Sequence, residues 1–152
     1  MKAKANYASL TRKDANDTIS PSTATDGDVV QVIATIRNKE VFNRWGNVNP
    51  IVVMTDERIA HILEGHLQDY TALGNHITEA IESPTYILED YKNVATALFV
   101  KCIEKSNLNV VVRLKIEGVD ADDLQSSVIT MYRLGEKTLT RMLKINNVLY
   151  RK

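Results

Sequence analysis

Three kinds of hydrophobic spacing divide this chain. Up to about residue 27, ending in "TISPSTATDGD", apolar positions show no period and Ser, Thr, Asp and Ala dominate, which reads as a flexible leader or linker. "VVQVIATIRN" (29–38) then has the composition of a short strand. "FNRWGNVNP" carries the Asn, Gly and Pro content of a loop, and "IVVM" (51–54) is a short buried strand. From Thr55 the period becomes helical. Thr55 can cap the helix, Asp56 and Glu57 suit its positive end, and Ile59, Ile62, Leu63 and His66 follow i, i+3, i+4, i+7. A second helix is expected from about Asp69 to Glu82, carrying Leu73, Ile77, Ala80 and Ile81. It should stop before Ser83-Pro84, because the residue preceding proline disfavours helix.

Beyond that point the period drops to two. "TALFVKCIEK" (96–105) and "NVVVRLKIEG" (109–118) read as strands joined through "SNL". In the second, Val110, Val112, Leu114 and Ile116 alternate with Val111, Arg113 and Lys115. "SSVITMYRL" (126–134) is a third strand, and Asn146-Asn147 form a turn before a last strand at 148–151. The expected fold is α+β, with two N-terminal helices packed on a four-stranded antiparallel sheet and a short N-terminal strand region. Residues 28–152 would form one domain.

Composition narrows the setting. The chain has 152 residues, 44% hydrophobic and 25% charged, as in ordinary globular domains. No apolar run reaches the ~18 residues of a membrane span, and the basic N-terminus lacks the hydrophobic segment of a signal peptide. The single Cys102 suits a reducing compartment, so a cytoplasmic location is expected. Lys and Arg number 19, balanced by 19 Asp and Glu, which gives no support to strong non-specific nucleic-acid binding. The distribution is uneven. Residues 54–91 hold eight acids against Arg58 alone, whereas 132–152 hold six bases against Glu136 alone.

Two of the three histidines, His61 and His66, lie in "TDERIAHILEGH". Zinc-protease helices need histidines four apart with Glu after the first; here the gap is five and Ile62 follows His61. Five residues on an ideal helix leave the rings about 140° apart, and no cysteine cluster or carboxylate stands at ligand spacing, so no metal is expected. His66 falls on the apolar stripe, where a packed imidazole is ordinary, and His61 on the opposite face, where exposure is ordinary. Gly65 can end the helix and redirect His66. Imidazole is also the side chain best suited to moving protons near neutral pH.

Read together, "VVMTDERIAHILEGH", "ITEAIESPTYILED", "TALFVKCI", "LNVVVRLKI", "SSVITMYRL" and "NVLYRK" resemble the nuclease domains of the barnase–EndoU–colicin–RelE group of phage and mobile-element proteins. The resemblance covers about residues 51 to 152. The matching positions are Arg58, His61, His66, Pro84, Asp90, Lys101, Ser127 and Thr130, with Tyr150 near the end; Ser126 stands where the pattern has Asn. It implies a toxin-like, metal-independent endoribonuclease with no cofactor. The 2′-hydroxyl of RNA would attack its own phosphate, giving a 2′,3′-cyclic phosphate and a 5′-hydroxyl. His61, His66, Lys101 and Thr130 would be catalytic, with Arg58, Arg113, Ser127, Tyr150 and Arg151 holding phosphate or RNA. The implied partners are an RNA substrate and an immunity or antitoxin protein, with no membrane. The alternative is a non-catalytic RNA- or protein-binding module of the same fold.

Overall fold

In the computed structural model, which describes residues 29–104 and 106–152, the elements run in a fixed order. They are β1 (Val30–Thr35), α1 (Lys39–Trp45), β2 (Ile51–Thr55), α2 (Asp56–Leu73), a 3-10 turn (Gly74–His76), α3 (Ile77–Glu82), β3 (Tyr86–Glu89), β4 (Thr96–Ile103), β5 (Ser106–Arg113), β6 (Ser126–Leu134), α4 (Glu136–Ile145) and β7 (Asn147–Arg151). The expected leader at 1–27 lies outside the described residues. No helix among the described residues is long and apolar enough to cross a membrane.

The expectation of two helices on a four-stranded antiparallel sheet is overturned. One seven-stranded mixed sheet, ordered β1-β2-β6-β5-β4-β3-β7, spans the molecule. Antiparallel β4, β5 and β6, the three strands expected between 96 and 134, form its centre. The mixed character comes from β2, which pairs parallel to β6 through Val52 and Val53 against Ser126 and Ser127. That pairing joins segments over seventy residues apart and leaves no local period to read. β7 is a strand as expected, but it lies beyond β3 at the far end.

Other differences have local causes. The loop expected at 42–50 opens inside α1. Asn38 accepts from the Glu40 amide at 2.9 Å as its cap, Val41 is buried, and Gly46 ends the helix at φ +86°, a conformation that favours glycine. The hairpin between β4 and β5 reverses between Ile103 and Ser106, so "SNL" belongs to β5; Glu104 takes φ +48° at the reversal. β5 ends at Arg113 rather than continuing to 118. α4 was unforeseen, although Leu139, Met142 and Leu143 repeat at three and four residues.

α2 begins as predicted, with the Thr55 hydroxyl accepting from the Arg58 amide at 3.1 Å. It does not stop at Gly65. The helix kinks at His66 (φ −140°, ψ 43°) and continues to Leu73, merging with what was read as the start of a second helix.

The sheet is covered on both faces. Phe99, Val110 and Met131 share the larger core with Ile59 and Ile62 of α2 and Ile77 and Ile81 of α3. On the opposite face Leu88, Leu98, Val100 and Leu134 pack with Leu139 and Met142 of α4. A bulge at Ile129 resets β6, so Val128 pairs with Val112 and Thr130 with Val111. At the β1 edge, the Thr78 hydroxyl donates to the Ile33 carbonyl at 2.7 Å and the Thr35 amide donates to the Glu82 carboxylate at 2.9 Å.

Candidate functional site

Strand alternation and register assign each strand residue to a face. Phe99, Val110 and Met131 point to α2 and α3, so Lys101 and Arg133, two residues on, share that face; Tyr150, opposite Ile87, packs against the same core. The α4 face carries the complementary rows. One runs Tyr86, Val100, Asn109, Tyr132; the next Leu88, Leu98, Val111, Thr130; the third Thr96, Arg113, Ser127. The sheet therefore separates Lys101 and Tyr150 from Arg113, Ser127 and Thr130.

Lys101 is engaged where it lies. Its ammonium donates to the Ser83 carbonyl at 2.6 Å and sits 3.5 Å from Glu79, holding the C-terminal end of α3. A hydrogen bond from His76, reinforced by Lys101, holds the Glu79 carboxyl below its ordinary value against the opposing effect of burial. Tyr150 lines a small cavity with Arg37, Glu82 and Lys152. The Arg151 guanidinium lies 5.4 Å from the Tyr86 ring centroid. From β7 to Tyr132 on β6 is four strand spacings, about 19 Å.

On the α4 face two of the expected phosphate ligands are committed to the fold. Arg113 donates to the Leu114 carbonyl and pairs with Asp120 at 3.3 Å. Ser127 is buried between Val53 and Arg113. Its neighbour Ser126, where the family pattern has Asn, is also buried: its hydroxyl accepts from the Lys115 amide at 2.9 Å and donates to the Asn49 carbonyl at 2.8 Å. Ser126 thus ties the start of β6 to two passing segments.

Thr130 and Tyr132 differ: among the described residues neither side chain makes a hydrogen bond, and both are only partly buried. α2 runs beside β6 beyond the end of β2. At its kink the His66 ring comes to 5.5 Å, centroid to centroid, from the Tyr132 ring, inclined 30°. Its Nδ1 lies 3.9 Å from the Asp69 carboxylate, itself held by the Arg133 amide at 3.0 Å. His61 is on the exposed side of α2, before the kink, and Arg58 lies partly buried in its first turn.

On the far side of Tyr132 a cavity of about 340 Å³ opens between α4 and the sheet. Leu98, Val111 and Met142 give it apolar walls; Tyr91, Lys92 and Arg141 stand around it, with one carboxylate, Asp90, that accepts from the Lys92 amide and the Asn93 side chain. Arg141 has no hydrogen bond or ion pair among the described residues. A larger cavity, about 880 Å³, follows α2 past Leu63, Leu67 and Tyr70, but the only charged residue lining it among the described residues is Glu64, which repels phosphate with no cation beside it.

No family model, curated protein or solved structure matches this chain.

Of the residues singled out in the sequence, the structure brings His66 and Thr130 to the neighbourhood of Tyr132 and leaves Lys101, Tyr150 and Arg151 elsewhere. Asp69, Tyr132 and Arg141 escaped sequence reasoning. Signals existed for two: Asp69 stands three residues after His66 on a helix, and Tyr132 two after Thr130 on a strand. Arg141 was hidden because α4 was.

Proposed function

We propose that the chain is a metal-independent endoribonuclease whose reaction centre is the part of the α4 face beneath His66. The observation that carries this reading is one imidazole set at a helix kink, backed by Asp69 and facing a strand that presents Thr130 and Tyr132. Asp69 occupies the Nδ1 side of the ring, which turns Nε2 toward substrate. His66 takes the proton from the ribose 2′-hydroxyl as that oxygen attacks phosphorus, then gives it to the departing 5′ oxygen. One ring thereby serves both steps, with no net proton consumed. The Thr130 hydroxyl donates to a non-bridging phosphoryl oxygen, and Arg141 supplies the uncommitted positive charge. A location in the cytoplasm and an antitoxin or immunity partner belong to this same proposal.

The test is incubation of the full chain with total RNA in EDTA. Expected products end in 2′,3′-cyclic phosphate, and His66→Ala slows cleavage roughly 10²- to 10⁴-fold; His61→Ala has the smaller effect. RNA left intact, or cut equally by His66→Ala, overturns the reading.

A second reading, a non-catalytic module of the same fold, has its own support. Arg113 is paired with Asp120 and Ser127 is buried, so two expected phosphate contacts are used in folding. Intact RNA recovered in a stable complex with the protein would favour it.

A further inference from the structure

We propose that the cavity between α4 and strands β4 to β6 is a subsite for a single nucleobase of the RNA. The inference rests on the ribonuclease reading and adds where the substrate's identity is sensed. At about 340 Å³ the cavity falls in the lower range of small-molecule sites. Its lining combines what a nucleotide requires. Tyr132 and Tyr91 offer aromatic surfaces, and unpaired bases are held chiefly by stacking on such rings. Leu98, Val111 and Met142 exclude water from the base. Arg141 has no ion pair among the described residues, and the Lys92 ammonium lies 5.7 Å from the Tyr91 ring centroid. Both cations stand at the rim, where a phosphate leaves the base.

A second, independent observation points the same way. Asn109 is fully buried, and both its side-chain nitrogen and oxygen lack a hydrogen-bond partner among the described residues. Register places it beside Tyr132 and, along β5, two residues from Val111 on the same face, directly behind these two lining residues rather than in the wall of the cavity itself. Folded chains rarely leave both ends of a buried carboxamide unsatisfied, and such groups need an explanation. A carboxamide offers one donor and one acceptor side by side, the complement of a base edge, as in its pairing with adenine N6 and N7. Tyr132, which lines the cavity and pairs with Asn109 across the strands, is the side chain that must turn for a base edge to reach the carboxamide. Tyr132 both meets the His66 ring and lines the cavity, so a base seated there shares a neighbour with the proposed reaction centre.

The experiment uses the full chain and the four 3′-mononucleotides, which carry base and phosphate but no bond to cleave. Methyl NMR titrations should show shifts at Leu98, Val111 and Met142 that saturate, with unequal affinities among the four bases. Arg141→Glu, at an exposed position, should weaken binding at least tenfold. Asn109→Leu should retain binding while compressing the differences among bases. Absence of binding, shifts confined to other surfaces, or unchanged affinity in Arg141→Glu overturns the subsite. RNA cleavage is scored separately: nucleotides that bind without any cleavage of RNA sink the ribonuclease reading and leave the subsite standing, and cleavage without saturable shifts does the reverse.

Discussion

The two faces of the sheet are built to different standards. Under α2 and α3 the strands present Phe99, Val110 and Met131 to a continuous apolar layer, and the strand lysine there, Lys101, is tied to a carbonyl and a carboxylate. Under α4 the apolar cluster is smaller and, among the described residues, a carboxamide is buried without partners and Arg141 and Thr130 are left uncommitted. The first face closes its polar accounts and serves stability. The second leaves groups whose partners would have to come from outside, which is where binding and chemistry are to be sought.

That contrast can be broken by substitution. Phe99→Ala should cost the most, about 3–5 kcal/mol by denaturant unfolding; a loss under 1 kcal/mol would show that the α2–α3 face is not the main core. Met142→Ala on the other face should cost less, about 2 kcal/mol, and should widen the cavity. Asn109→Leu should be neutral or stabilise by about 1 kcal/mol, since it removes two unsatisfied buried atoms while conserving shape; marked destabilisation would mean the amide is already satisfied. Lys101→Met should lower stability by up to about 1 kcal/mol and leave RNA cleavage within twofold, because the sheet separates it from Thr130 and Tyr132 and its ammonium is held by Ser83 and Glu79. Loss of cleavage would reunite the two faces functionally.

The smallest effect concerns pH. Arg44 forms two hydrogen bonds to Glu89, at 2.7 and 2.6 Å, and these hold the Glu89 carboxyl below its ordinary value, with burial opposing and Asn147 assisting. A depressed folded-state value means the pair's contribution is complete above the ordinary glutamate range and fades as pH falls below about 4.3. Both side chains are partly exposed, so the contribution is screened. Glu89→Gln should slightly flatten the acid limb of the stability curve measured by thermal melts.

What could be read from the sequence follows from where each signal resides. β4, β5 and β6 run for eight or nine residues with many Val, Ile, Thr, Phe and Tyr side chains, and the Thr55 cap is a local chemical event, so both were legible. β3 is four residues of unbroken or partial burial after a proline, too short to show a period. The parallel β2–β6 contact is a property of the folded chain alone. The site divides in the same way. His66 and Thr130 carry chemistry visible in their residue types, whereas Arg141 and Asn109 gain significance from what fails to meet them in three dimensions. The kink at His66 also voids the ideal-helix estimate of the angle between the two histidine rings.

The backbone bonds that α3 makes to β1 bear on assembly. Strand addition at that rim would require an incoming chain to evict Thr78 from the Ile33 carbonyl and Glu82 from the Thr35 amide before gaining a single ladder bond. Growth of the sheet into a larger array is therefore obstructed at its β1 margin, and crowding this protein should drive self-association, if anywhere along the sheet, from the β7 margin at Asn147–Arg151.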